Sequence, residues 1–223
     1  MKNTLLNDFK LGIFETLATF GLVLIGTGSI VIHQENIWKL GDFGIGLSFG
    51  LIIALMILVF GARSGAHMNP VVSVTFYIRN LISFQKLIIY LVFQTTGAIG
   101  ASFLLRFLFP SNESLGATLP HAGIWQAFFL EVFMTFLLVY LILIIGRLKP
   151  IFKKNPWFWI GFLIFLEAYL GGPYSGASMN PARSIGPVVA NQNWNYLWIY
   201  ICAPFTGMLL ALRLQKVSYV FRK

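Results

Sequence analysis

The sequence predicts an all-α membrane protein: six transmembrane helices plus two re-entrant half-helices, in an inverted 3+3 repeat. Three observations predict it. First, 57% of the 223 residues are hydrophobic and only 10% are charged, with mean hydropathy +0.79, more apolar surface than a soluble domain of this size can hide. Several apolar runs reach the ~20 residues that a helix needs to cross a bilayer. Second, a string occurs twice: Ser64–Pro70 reads Ser-Gly-Ala-His-Met-Asn-Pro, and Ser175–Pro181 repeats it with Ser178 in place of His67. Third, the echo is wider than these strings. Glu15-Xaa3-Thr19-Phe20 matches Glu131-Xaa3-Thr135-Phe136, and Tyr90…Thr96-Gly97 matches Tyr200…Thr206-Gly207.

The elements follow in chain order. The first span is about Phe9–His33. It is too long for the core of a signal peptide and shows no small-residue cleavage site, so it reads as a retained helix. A polar turn, Gln34–Gly41, leads to a second span at about Phe43–Ala62. Each repeated string is a helix start, because Asn caps a first turn and Pro suits the first helical position. The apolar part after the first string, Pro70–Ile78, is too short to span. The third span is about Phe84–Phe109, and Pro110–His121 reads as a surface connection rich in turn formers. The fourth span is about Ala122–Ile145. Arg147, Lys149, Lys153 and Lys154 form a basic loop closed by Pro156. The fifth span is about Trp157–Leu170, the second short helix runs from Asn180 to about Ala190, and the sixth span is about Asn195–Gln215, before a basic tail. All of this is one domain, 1–223, with repeat one at 1–112 and repeat two at 113–223.

Three crossings per half is an odd number, so the halves insert with opposite orientation. Of the 16 Lys and Arg, only Lys39, Arg106 and Arg183 fall on one side; the rest lie on the other. That asymmetry puts both termini in the cytoplasm of a cell, inner or plasma, membrane. It also argues against nucleic acid as the partner of a chain with net charge +9, since the cations are segregated by loop rather than gathered in a patch. The six Trp sit near helix ends, where interfacial anchoring places them. Cys202 is single, so an internal disulfide is excluded. The sequence offers no Ser/His/Asp grouping, no metal-ligand spacing and no phosphate loop, so neither enzyme, metal nor cofactor is expected.

Non-helical backbone at membrane depth is tolerated only where it is buried or lines a watery cavity. Two such segments entering from opposite faces imply a central passage or binding site. The paired Asn-Pro motifs, the run Asn180-Pro181-Ala182-Arg183-Ser184, the lead Gly65-Ala66-His67-Met68, and Glu15 and Glu131 in the first and fourth spans carry a resemblance. The chain resembles the aquaporin, or major intrinsic protein, family over nearly its whole length. One departure is Asn69-Pro70-Val71, where the family pattern has Ala third.

The resemblance implies that the half-helices meet tip to tip at the midplane. Asn69 and Asn180 then face the lumen, each oxygen held by its own helix start, with the amide nitrogens left as donors to a passing water. Two helix N-termini aim partial positive charge at the same spot. A water there turns its oxygen to the donors, which breaks a proton wire and opposes cations. Backbone carbonyls of Ser64, Gly65, Ala66 and His67, and of Ser175, Gly176 and Ser178, would line the path. Glu15 and Glu131 would support these loops.

The implied selectivity filter is Phe49, Ala168, Ala177 and Arg183. Ala168 stands where water-selective members tend to carry His, which widens the ring. Ser184 and Val188 stand where glycerol-type members carry Asp and a basic residue. The implied function is a passive channel for water, and also for small neutral solutes such as glycerol, excluding protons and ions. The alternative is a glycerol or metalloid-type facilitator, and the implied assembly is a homotetramer. Glu167 is open: with a one-residue gap it lines the ring and pairs with Arg183; otherwise it faces a neighbouring helix or subunit. A coupled transporter using Glu167 for a proton, or a non-transporting scaffold, are the other classes. Gly97, Gly100, Ala101, Gly207 and Ala211 suit close helix crossing within or between subunits.

Overall fold

A computed structural model describes residues 2–146 and 149–220, with side chains for 5–146 and 149–216. Arg147, Arg222 and Lys223 of the basic set, and the side chain of Lys2, lie outside the described residues. Among those described, the order is α1 (Lys2–Gln34), α2 (Gly41–Ser64), α3 (Pro70–Ile78), α4 (Phe84–Leu108), α5 (Ile124–Ile145), α6 (Pro150–Lys154), α7 (Pro156–Ser175), α8 (Pro181–Asn191) and α9 (Leu197–Val220). Five helices (α1, α2, α4, α5 and α9) are long and apolar enough to cross a membrane. The sixth span is α7, whose 20 residues are enough to cross; Glu167, Tyr169, Gly171 and Gly172 dilute its hydropathy.

The halves are built alike. Helix α1 packs on α4, α5 packs on α9, and α2 packs on α7 across the two halves. A Cβ on Gly97 would collide with the Thr16 carbonyl, and one on Gly207 with the Val132 carbonyl. The same device therefore brings the third span against the first in each repeat. On the seam between repeats, a Cβ on Gly50 would lie 2.7 Å from the Gly161 carbonyl oxygen, and the converse distance is also 2.7 Å. Gly97, Ala101, Gly207 and Ala211 thus serve crossings inside the subunit.

Several boundaries differ from the sequence expectation. Helix α1 starts before Phe9 because Asp8 is buried and accepts a 3.2 Å bond from Gln85 Nε2, which ties this polar turn to α4. Helix α7 runs past Leu170 through Pro173 to Ser175. The lost ladder bond at Pro173 is outweighed by packing: a Cβ at Gly171 would sit 2.5 Å from Met134 Sδ. The basic loop contains the short helix α6. The segment after α4 is not a surface connection. Leu115 is fully buried and Thr118 nearly so. Asn112 Oδ1 accepts from Leu115 N at 2.7 Å, while Arg106 donates to the Asn112 carbonyl at 3.0 Å and to Asn191 Oδ1. The segment folds inward and is pinned to the ends of α1, α4 and α8.

Candidate functional site

Helix α2 and helix α7 end the same way. Gly65 (φ 93°) and Gly176 (φ 79°) adopt the left-handed conformation and turn the chain back into the protein. Ala66, Met68, Ala177 and Met179 also have positive φ, between 42° and 52°. Each such non-glycine residue costs about 1 kcal/mol or more. The cost is offset by two buried carboxylates. Glu15 Oε1 accepts from Ser64 Oγ (2.7 Å) and His67 N (2.9 Å), and Oε2 from Met68 N (2.8 Å). Glu131 repeats this with Ser175 Oγ (2.9 Å), Ser178 N (2.8 Å) and Met179 N (2.7 Å). Charge-assisted bonds of this kind contribute about 1.5–3 kcal/mol each. Both Glu are fully buried, and each bonds the backbone of its own re-entrant loop.

The loops deliver two asparagines to one point. Asn69 Oδ1 accepts from Val71 N at 2.9 Å, and Asn180 Oδ1 accepts from Ala182 N at 3.1 Å. Both half-helices therefore begin with a side-chain cap and a Pro. The amides are not wholly left to the lumen: Asn69 Nδ2 donates to the Met179 carbonyl (2.8 Å) and Asn180 Nδ2 to the Met68 carbonyl (2.7 Å). One proton of each amide cross-links the two loops, and one remains. Val71 does not disturb this meeting point. It is fully buried beside Val139, Met208 and Ala211, so its two extra methyl groups fill core between α3, α5 and α9.

Two cavities run along the loops. An inner one of about 480 Å³ extends from Lys154, Pro156 and Trp157, past His67, Asn69 and Asn180, to Arg183. An outer one of about 370 Å³ opens between Gln34, Asp42 and His121. Phe49, Ala168 and Ala177 line both, so the neck lies where these three residues stand. Arg183 completes the ring, with its guanidinium carbon 5.4 Å from the Phe49 ring centroid. It is 1% exposed, which rules out a snorkelling surface arginine. Arg183 Nη1 donates to the Gly116 carbonyl at 2.9 Å, whereas Nε and Nη2 have no protein partner.

Gly65, Ala66, His67 and Ser178 line the inner cavity and Gly176 the outer one. Ser64 and Ser175, expected as lumen-facing carbonyls, are instead fastenings behind the wall. Their carbonyls accept from Tyr90 Oη (2.6 Å) and Tyr200 Oη (2.8 Å), and their hydroxyls bond Glu15 and Glu131. Glu167 lines neither cavity. It is 6% exposed, and neither carboxylate oxygen has a partner. Trp157, in the first turn of α7, also lines the inner cavity beside Lys154 and Pro156.

Sequence reasoning missed some of this support. The Tyr90/Tyr200 pair was visible as an echo without a role. Gln94 Nε2 donates to Glu15 Oε2 (2.8 Å) and Ser73 Oγ (2.9 Å), but repeat two has Pro204 at the matching place, so no echo marked it. The Gly116 carbonyl that holds Arg183, and Thr118, 2.9 Å from Ser184 Oγ, carry no motif at all.

A bundle of spanning helices around two opposed, Asn-capped half-helices and a necked lumen defines a multi-pass membrane channel. Known proteins agree. The profile of the family "Major intrinsic protein" matches residues 3–214, and the chain belongs to that family. Its members are channels, and this chain is not an enzyme. Nodulin-26 of Glycine max is 34% identical over 197 residues, covering 87% of this chain and 72% of its own. Aquaporin NIP6-1 of Arabidopsis thaliana is 31% identical over 201 residues, covering 90% of this chain and 66% of its own. The X-ray structure of the aquaglyceroporin from Plasmodium falciparum shares the fold, with TM-score 0.81 over 94% of both chains at 23% identity.

Proposed function

We propose that this chain is a passive, single-file channel for water that also passes small neutral solutes such as glycerol and excludes protons and ions. One observation carries the reading: a neck of Phe49, two alanines and Arg183, with Arg183 Nε and Nη2 unpartnered, stands in series with two asparagines capping opposed helices. A fixed guanidinium and two helix N-termini repel cations in a confined, low-dielectric bore. The remaining amide protons of Asn69 and Asn180 orient a passing water by its oxygen, which breaks proton relay.

The solute range follows from the neck's chemistry. Ala168 and Ala177 leave width that larger side chains would take. The two free Arg183 nitrogens replace the hydration of a solute's hydroxyls, while Phe49 takes its carbon side. This favours small polyols besides water. The second reading, a facilitator for glycerol or metalloid hydroxides, rests on the same alanines. We further propose a homotetramer in a cell membrane, with both termini cytoplasmic.

Stopped-flow light scattering on proteoliposomes tests it. Water permeability should rise well above empty liposomes, with a low activation energy. A glycerol gradient should show accelerated re-swelling, while a trapped pH dye should report no added proton leak. Water flux no higher than in empty liposomes would end the reading. Fast glycerol with little gain in water favours the facilitator.

A further inference from the structure

The Phe49 ring lies against the backbone of α1. A Cβ built on Gly26 would meet Phe49 Cε1, with Cδ1 at 2.6 Å and Cζ at 2.9 Å. Phe49 is also the residue that faces Arg183 across the neck, and both cavities touch it. The ring is therefore seated between α1 and the guanidinium, and its open side is the lumen. The next residue of α1 bears on the opposite wall. Gly116, whose carbonyl holds Arg183 Nη1, packs so closely on Thr27 that a Cβ there would be 2.7 Å from the Thr27 carbonyl oxygen. Two consecutive residues of one helix thus back both the aromatic and the cationic side of the neck.

Repeat two lacks this seat. The offset that relates Glu15 to Glu131 carries Gly26 to Ile142, and the offset that relates Gly50 to Gly161 carries Phe49 to Ile160. Both isoleucines line the inner cavity, so at the matching places repeat two has an aliphatic side chain instead of the ring and another instead of the glycine. The glycine goes with the ring that it receives.

We propose that the Gly26–Thr27 step of α1 sets the bore of the neck, with Gly26 as the positioning residue that determines the largest solute passed. The inference rests on the reading of Phe49 and Arg183 as the neck. A methyl group at Gly26 pushes the ring into the lumen, and the loss grows with solute width.

The test measures water, formamide, urea and glycerol permeabilities in proteoliposomes for wild type, Gly26→Ala, Phe49→Leu and the double variant. Gly26→Ala should lower the largest permeant solute about tenfold relative to water, as ~1.4 kcal/mol of added barrier does. The double variant should restore the ratio, which a merely structural role for Gly26 would not give. If wild type passes water alone, the same fall and rescue are read in water flux. An unchanged Gly26→Ala ratio beside an altered Phe49→Leu ratio overturns this inference and leaves the neck standing. Unchanged ratios in both variants overturn the neck reading itself. Equal loss of all solutes without rescue, or a Gly26→Ala protein whose folding Phe49→Leu does not recover, also overturns the inference.

Discussion

Arg183 and Glu167 both carry ionisable side chains buried in the membrane region, yet only one has a partner. Arg183 donates one nitrogen to the Gly116 carbonyl, and its Nε and Nη2 are buried without a partner. Glu167 has no bond at either oxygen and touches neither cavity. An unbonded buried polar group costs about 1–3 kcal/mol in proteins, and replacing it with an apolar residue of similar size removes that cost. Glu167→Leu should therefore stabilise the detergent-solubilised protein by about 1–3 kcal/mol. Its glycerol-to-water permeability ratio should stay that of wild type. A lower melting temperature, or a changed ratio, would show that the carboxylate has work that its present surroundings do not reveal.

Among the elements, the two re-entrant loops are held to different degrees. Glu15 receives Ser64, two loop N–H groups and Gln94, whereas Glu131 receives only Ser175 and two loop N–H groups. Glu131→Ala strands two buried N–H donors, at about 1–3 kcal/mol each, beside strained Ala177 and Met179. Gln94→Leu leaves three of the four bonds on Glu15 in place, so the first loop should hold. Thermal unfolding should rank Glu131→Ala well below Gln94→Leu. The reverse order would mean that the carboxylates are not what supports the loops.

The whole molecule is two similar halves closed on each other along the Gly50–Gly161 seam. Opposite insertion is what lets both half-helices bring their N-termini to one point, Asn69 and Asn180 each reaching the other's loop. We propose the orientation from charge: with Lys39, Arg106 and Arg183 on the second side and the other Lys and Arg on the first, the positive-inside tendency favours both termini in the cytoplasm. Arg183 and Arg106 are moreover engaged with Gly116, Asn112 and Asn191. In a Cys202→Ser background, single cysteines at either end should resist an impermeant thiol reagent until cells are opened. Labelling of either end in intact cells would refute this orientation.

Apolar run length, the duplicated Ser-Gly-Ala-Xaa-Met-Asn-Pro string and the loop charges are local properties of the chain. They determined the spans, the inverted repeat and the capped half-helices, because a helix must cover the bilayer and an Asn-Pro start is made by neighbours in sequence. What depends on residues far apart was decided by tertiary structure alone. The seat of Phe49 on Gly26, the inward fold of the segment holding Arg183, and Gln94 on Glu15 leave no periodic trace, and the Tyr90/Tyr200 echo does not say that these tyrosines take the Ser64 and Ser175 carbonyls. Each exists only because packing brings distant backbone and side chains within hydrogen-bonding or van der Waals reach.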